Sequence, residues 1–166
     1  MIYYTSFRIP SLKKVFLISK VNDKICGISL SADKRQFVKF LKRQFKDEIV
    51  YTKRKFKKES QQLREYFNGT RKRFGLRFTL SGTDFQKMVW RQIAKIGYGK
   101  TLSYSDIAKR INNRNAVRAV GSACGKNPIP IIIPCHRVIS KDDSIGGFGG
   151  GISLKKKLLN LEKGDH

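Results

Sequence analysis

The sequence predicts an α/β (α+β) protein in two parts: a small mixed sheet-and-helix domain over residues 1–75 and a mainly helical domain over residues 76–166. Three observations carry this. Short β-branched and aromatic runs fill residues 12–30 and then give way to helical periodicity. A polar break, Asn68-Gly69-Thr70 followed by Arg71-Lys72-Arg73, separates the two halves. Beyond it come four helical segments, two of them joined by a tight turn. At 166 residues and 40% hydrophobic the chain is long and apolar enough to bury a real core.

In the first part, Val15–Ile18 and Ile25–Ile28 read as a hairpin turned at Asn22-Asp23. Over residues 33–46 the period changes: Phe37, Phe40, Leu41 and Phe45 share one helical face, with Lys and Arg on the other. A second helix is expected over about Glu59–Phe67, and the basic run Lys53–Lys58 reads as a solvated loop.

In the second part, Arg77–Leu80 is a short extended entry. Thr83 can then cap a helix over Asp84–Ile96 that buries Phe85, Met88, Val89, Trp90, Ile93 and Ile96. Ser103–Ile111 and Asn115–Gly125 flank the turn Asn112–Arg114, which is helix-turn-helix spacing. Ile107, Ala108 and Ile111 pack one side, and Ala116, Val117, Val120 and Ala123 the other; small Ala119, Gly121 and Ser122 allow close approach. Asn127-Pro128 stops the pair. Ile129–Ile133, set between prolines, reads as an apolar strand that delivers Pro134-Cys135-His136-Arg137-Val138. The glycine-rich loop 146–151 lacks the Lys-Ser/Thr of a phosphate loop. A last helix over Ser153–Glu162 turns Leu154, Leu158 and Leu161 inward.

Charge narrows the function classes. The formal net charge is +24, from 36 Lys and Arg against 12 Asp and Glu. Such a surface attracts polyanions, nucleic acid first and anionic membrane second, although a general compositional bias would also produce it. No apolar run approaches the ~18 residues that span a bilayer, and the N-terminus is not built like a secretory signal, so a cytoplasmic protein is expected. Cys26, Cys124 and Cys135 are odd in number and lack CxxC spacing, which argues against a disulfide framework. With only His136 and His166 as histidines, no metal is expected, and no cofactor.

Chemistry concentrates at Cys135-His136. An imidazole that takes the thiol proton generates the thiolate, the reactive form. The dipeptide alone is more readily read as a buried cysteine beside a capping histidine. Cys26 lies in an apolar strand, and Cys124 reads as packed in the core rather than reactive.

The wider pattern goes further. Thr101–Ala108 with Tyr104 at its centre, Arg118-Ala119-Val120-Gly121, Asn127-Pro128, Pro134–Val138, Gly149-Gly150 and Leu158-Leu159-x-x-Glu162 occur in order. Over about residues 74–164 the chain resembles the O6-alkylguanine-DNA alkyltransferases; residues 1–70 resemble them only in layout. The resemblance implies an RNase H-like N-terminal layout and a C-terminal domain with a winged helix-turn-helix-like motif. It implies Cys135 as nucleophile and permanent alkyl acceptor, His136 as base acting through a water, and Glu162 as its orienting group. Tyr104 would donate to guanine N3, and Asn127 would hold the active-site turn. Arg118 would fill the gap left by the flipped nucleotide, with Ala119 suited to a narrow minor groove and Ser103, Ser105, Asn113 and Lys141 near the DNA backbone. Val138 and Cys135 would read the guanine amino group through their backbone, and Phe148 and Gly149 would face O6. Some relatives carry serine at the position of Gly149, so a side-chain bond to O6 is missing here. Relatives with zinc in the N-terminal domain use Cys and His that this chain lacks.

The implied reaction is irreversible and stoichiometric, with double-stranded DNA containing O6-alkylguanine as partner and O4-alkylthymine as a second candidate substrate. A monomer without membrane contact is expected. Three alternatives stay open: a non-catalytic lesion-sensing DNA-binding protein, which would lack the nucleophile; a winged-helix regulator, which would not need Cys135, His136 and Glu162; and a cysteine hydrolase, in which adjacent Cys-His is unusual.

Overall fold

The structure is a computed structural model that describes residues 1–164. Asp165 and His166, at the end of the C-terminal domain read from sequence, lie outside the described residues. The chain divides into two compact units, Met1–Ser81 and Gly82–His166.

The first unit holds a four-stranded sheet: β1 (Ile2–Ile9), β2 (Lys14–Val21), β3 (Lys24–Ser29) and β4 (Ile49–Tyr51), in the order β3-β2-β1-β4. β1–β2 and β2–β3 are antiparallel, and β1–β4 is parallel. The β2–β3 loop is Asn22-Asp23, both at positive φ (48° and 56°), the backbone that a two-residue hairpin needs to match strand twist. Helix α1 (Lys34–Gln44) starts where the Asp33 carboxylate accepts the Gln36 amide at 3.0 Å. Its buried Phe37 and Leu41 pack with Ile2, Leu17 and Cys26. Helix α2 (Lys57–Phe67) brings Phe67 to 5.7 Å from the ring of Phe16. Phe16 and Leu17 are consecutive strand residues and point to opposite faces, so α1 and α2 cover the two sides of the sheet.

Residues 76–81, read from sequence as the head of the C-terminal domain, are tied to the first unit. Ile25 donates its amide to Arg77 O at 2.9 Å, and Thr79 donates to Ile25 O at 2.9 Å. Ser81 adds a side-chain bond to Gln44 at 2.7 Å.

The second unit contains α3 (Asp84–Ile93), β5 (Leu102–Ser103), α4 (Tyr104–Arg110), α5 (Val117–Gly125), β6 (Val138–Ile139) and α6 (Ile152–Lys163). Thr83 caps α3 in a reciprocal box with Gln86, and Ser103 caps α4 in one with Asp106. Trp90 is buried, and its Nε1 donates to Ala123 O at 2.8 Å, which locks α3 onto α5. β5 and β6 pair in parallel, placing the strand that follows Cys135 beside the start of α4.

Four sequence expectations change. Lys53–Lys58, read as a solvated loop, holds a 3-10 turn over Arg54–Phe56 that buries Phe56 and runs straight into α2. Helix α3 ends at Ile93, and Ala94–Ile96 continue as turns. Met88 and Val117, expected in the core, are 40% and 36% exposed. Residues 129–133 are not a strand. The chain folds back on itself, Ile133 donating to Ile129 O at 2.9 Å with Ile131 at φ 76°. Pro128, Pro130 and Pro134 supply no amide donors here, so a ladder cannot form, and the three buried isoleucines 129, 131 and 133 hold a compact turn instead. Among the described residues no helix is long and apolar enough to cross a membrane.

Candidate active site

Cys135 opens a short 3-10 turn, Cys135–Arg137, directly after the isoleucine turn, and is buried. Asn127 organises this corner with one amide group. Its Oδ1 accepts the Ile129 amide at 3.0 Å. Its Nδ2 donates to Ile133 O at 2.8 Å and to Cys135 Sγ at 3.1 Å. The residue that shapes the turn therefore also holds the sulfur.

His136 and Glu162 are buried beside it. The Glu162 carboxylate accepts from His136 Nε2 at 2.8 Å, Arg137 Nε at 2.8 Å, Arg137 Nη2 at 2.9 Å and the Gly99 amide at 3.2 Å. A carboxylate accepting from a guanidinium fork and a backbone amide is an acceptor, so His136 Nε2 is the protonated nitrogen and Nδ1 the basic one. Arg137 also donates to Ile96 O. The Arg137 fork fixes the carboxylate, and the carboxylate fixes the imidazole.

Lys155, on the inner face of α6, is fully buried. Its Nζ donates to Val138 O at 2.6 Å and Gly147 O at 3.3 Å, pinning the glycine-rich loop to β6. It also lies 6.0 Å from the Tyr104 ring centroid. Gly146, at φ 68°, would put any Cβ 2.9 Å from the Tyr104 hydroxyl, so the loop can run past the tyrosine only as glycine. Phe148 meets His136 edge-on at 6.4 Å, and a Cβ at Gly149 would meet open space.

Burial sets the protonation states. It pushes the Cys135 thiol up, against the Asn127 hydrogen bond and the positive charge of Lys155. It pushes His136 down, against the pull of Glu162, so the imidazole rests neutral. Burial likewise keeps Tyr104 protonated, hence a donor. Cys26 and Cys124 are pushed up to about 11 and about 12, which leaves both as inert thiols near neutral pH.

Of the residues singled out from sequence, Cys135, Asn127, His136 and Glu162 form one corner, with Tyr104, Val138 and Phe148 around it. Arg118 and Ala119 are exposed on α5, Asn113 is exposed in the turn before it, and Lys141 is exposed in the loop after β6. Ser105 shares a 2.8 Å bond with Ser103, whose hydroxyl is committed to the α4 cap. Sequence reasoning missed Arg137 and Lys155, reading neither as buried. Lys155 had a signal: it lies three and seven residues before Leu158 and Glu162, on their helical face. Among the described residues no group of three His, Cys, Asp or Glu side chains could hold a metal ion.

Residues 84–164 match the family described as 6-O-methylguanine DNA methyltransferase, DNA binding domain. A methylated-DNA–protein-cysteine methyltransferase of Haemophilus influenzae is 40% identical over 98% of this chain and 87% of its own. The O6-methylguanine methyltransferase of Mycobacterium tuberculosis superposes with a TM-score of 0.84 at 33% identity, covering 100% of this chain and 95% of that one. A Mycobacterium tuberculosis OGT crystallised in complex with DNA gives a TM-score of 0.85 at 33% identity, covering 98% and 94%. The chain belongs to the methylated-DNA–protein-cysteine methyltransferase family.

Proposed function

We propose that this chain repairs DNA by moving an alkyl group from the O6 of guanine in a duplex onto Cys135 Sγ, once per molecule. The observation that carries the reading is a buried thiol held by Asn127 and followed by an imidazole whose tautomer is fixed by Glu162 and Arg137. The relatives named for O6-methylguanine and for methylated DNA support the substrate, and the one crystallised with DNA supports the partner.

The thiol proton passes to the neutral His136, directly or through a water, and Glu162 stabilises the imidazolium that forms. The thiolate attacks the alkyl carbon in line. The carbon–oxygen electron pair goes to O6 and the purine ring, which becomes guanine on taking one proton. Tyr104, kept protonated by burial, donates to N3 and stabilises the charge as it develops. A thioether results, and nothing in the corner would return it to a thiol. O6 is inaccessible in a stacked duplex, so the nucleotide must leave the stack at a cost of a few kcal/mol. Arg118, exposed on α5, would fill the gap, and Asn113, Ser105 and Lys141 would meet phosphates; the exposure of Arg118, Asn113 and Lys141 supports this reading. One monomer acts on one lesion, in the cytoplasm.

The test is intact-mass analysis after incubation with an O6-methylguanine duplex. Wild type should gain one methyl on the Cys135 peptide, and Cys135→Ala should gain none while still binding the duplex. Label on Cys124, or binding by wild type with no mass gain, would overturn the proposal; the second outcome would make the chain a lesion sensor.

A further inference from the structure

The matched DNA-binding family region covers residues 84–164, yet the first unit carries more of the positive charge. Residues 1–81 hold 21 Lys and Arg against 6 Asp and Glu. On α1 that charge is ordered. Lys34, Arg35, Lys39, Lys42 and Arg43 line, with Val38 and Tyr4, a groove of about 700 Å³ that has no acidic residue in its walls. All five cations are exposed, and none forms a salt bridge among the described residues.

The arrangement works against its own helix. Arg35, Lys39 and Arg43 repeat at four-residue spacing, where like charges repel along one face. Lys34 and Arg35 occupy the first turn, where the helix dipole disfavours cations; the carboxylate at this end, the Asp33 cap, is one charge against two and is bonded to the Gln36 amide. The opposite face of α1 is fixed in the core by Phe37 and Leu41, so the helix cannot roll the stripe away. Lys34 lies 4.9 Å over the ring of Tyr51, itself 41% exposed, so an aromatic face stands at the margin of the cations. An anionic polymer laid along the groove relieves the repulsion. The rise from Lys34 to Lys42 is about 12 Å, long enough to meet several duplex charges spaced roughly 1.7 Å apart along the axis.

We infer that the cationic face of α1 is a second DNA-backbone contact surface, independent of the lesion and of the helix-turn-helix. The inference rests on the reading that the chain acts on duplex DNA.

Undamaged duplex DNA is the probe, and the full-length chain is titrated across a salt series. The triple variant Lys39→Gln, Lys42→Gln, Arg43→Gln keeps helix-forming residues on α1. It should bind about tenfold more weakly or worse, and flatten the log affinity against log salt slope by about 2–3 units, as expected when about three fewer phosphates are neutralised and their counterions are not released. A control triple, Lys53→Gln, Lys57→Gln, Lys58→Gln, removes the same charge from the same unit and should change the slope by less than about one unit. Melting temperatures of both variants should match wild type. Equal flattening by the two triples would reduce the effect to bulk charge and overturn the inference, as would an unchanged slope for the α1 triple. Loss of affinity for vesicles of anionic lipid in place of DNA would also overturn it. If wild type itself failed to bind duplex, the reading beneath it would fall first.

Discussion

Each unit buries a carboxylate beside a cation, and the two sites are finished differently. Glu162 accepts from His136, Arg137 and the Gly99 amide, and both of its oxygens are engaged by Arg137. Glu59 accepts from Lys20 at 3.0 Å, and its Oε2 has no hydrogen-bond partner among the described residues. Lys20 divides its charge between Glu59, Asp23 at 3.4 Å and the Phe56 ring at 5.2 Å. Burying a charge costs several kcal/mol, so a buried pair stabilises a fold only when its remaining lone pairs are satisfied. By that measure the Lys20–Glu59 pair is a tie between β2 and α2 that apolar packing could replace. The Glu162 cluster has a second task, because its bond to His136 sets which nitrogen of the imidazole is basic.

The largest effect should come from cutting the saturated cluster. Glu162→Ala leaves the Arg137 guanidinium buried without its carboxylate and should lower stability by about 3–5 kcal/mol. Glu162→Gln keeps the shape and restores part of that loss, but a neutral amide no longer stabilises the imidazolium or selects the tautomer. Alkyl transfer should stay slow in the Gln variant even at temperatures where it is fully folded. Chemical denaturation and single-turnover transfer, measured on both variants, separate the two roles. A Gln variant that transfers at the wild-type rate would reduce Glu162 to a structural residue like Glu59.

These two clusters were not equally visible in the sequence. Glu162 came with the family-like pattern around Leu158, and Cys135, His136 and Asn127 with theirs, because such chemistry needs fixed residue types at fixed spacing. Thr83 and the α4–turn–α5 spacing were legible from local capping and periodicity. Lys20, Lys155 and Arg137 were not, since long charged side chains are read as solvated unless a partner far away in sequence is known, and Glu59 lies 39 residues from Lys20. The same limit hid β4, which pairs with β1 nearly 50 residues away; β1 itself pairs with its sequence neighbour β2 and still went unread, and residues 129–133 were misread for a local reason, three prolines that forbid the ladder their apolar neighbours suggest. Met88 and Val117 were placed inward by period alone, although a helix end or a shallow groove can leave one apolar position uncovered.

A smaller effect distinguishes the clusters by pH. Burial holds His136 below its ordinary value, so above about pH 6.5 both folded and unfolded chains carry it neutral and it adds no pH dependence. Below that the unfolded chain binds a proton that the native chain refuses. Stability should therefore fall with falling pH, by at most about 1.4 kcal/mol per unit from this group, until the folded pKa is reached. His136→Gln should remove that limb between about pH 6.5 and 5, and denaturant midpoints across the window would show it. His166 is common to both proteins and cancels. A limb of equal slope in the variant would mean that His136 takes up its proton alike in the folded and unfolded chains, and burial would not be what holds the imidazole neutral.

The smallest expected effect is the sharpest for the comparison. Lys20→Met alone would strand Glu59 in an apolar setting with neither oxygen bonded to a lysine, and should cost several kcal/mol. Adding Glu59→Leu removes the stranded charge, and the two introduced apolar side chains can pack against Phe56, which is fully buried beside them. The double variant should return to within about 1 kcal/mol of wild type, or exceed it, since buried pairs often stabilise no more than apolar residues of similar volume. Alkyl transfer should be unchanged, because neither residue belongs to the chemistry. A thermodynamic cycle over the two single variants and the double would give a coupling energy large in magnitude while the net effect stays near zero. Should the double variant remain as unstable as Lys20→Met, the bare Oε2 of Glu59 would have to be satisfied in the folded protein, by water or by a bound group, and the first unit's buried pair would be as complete as the second's.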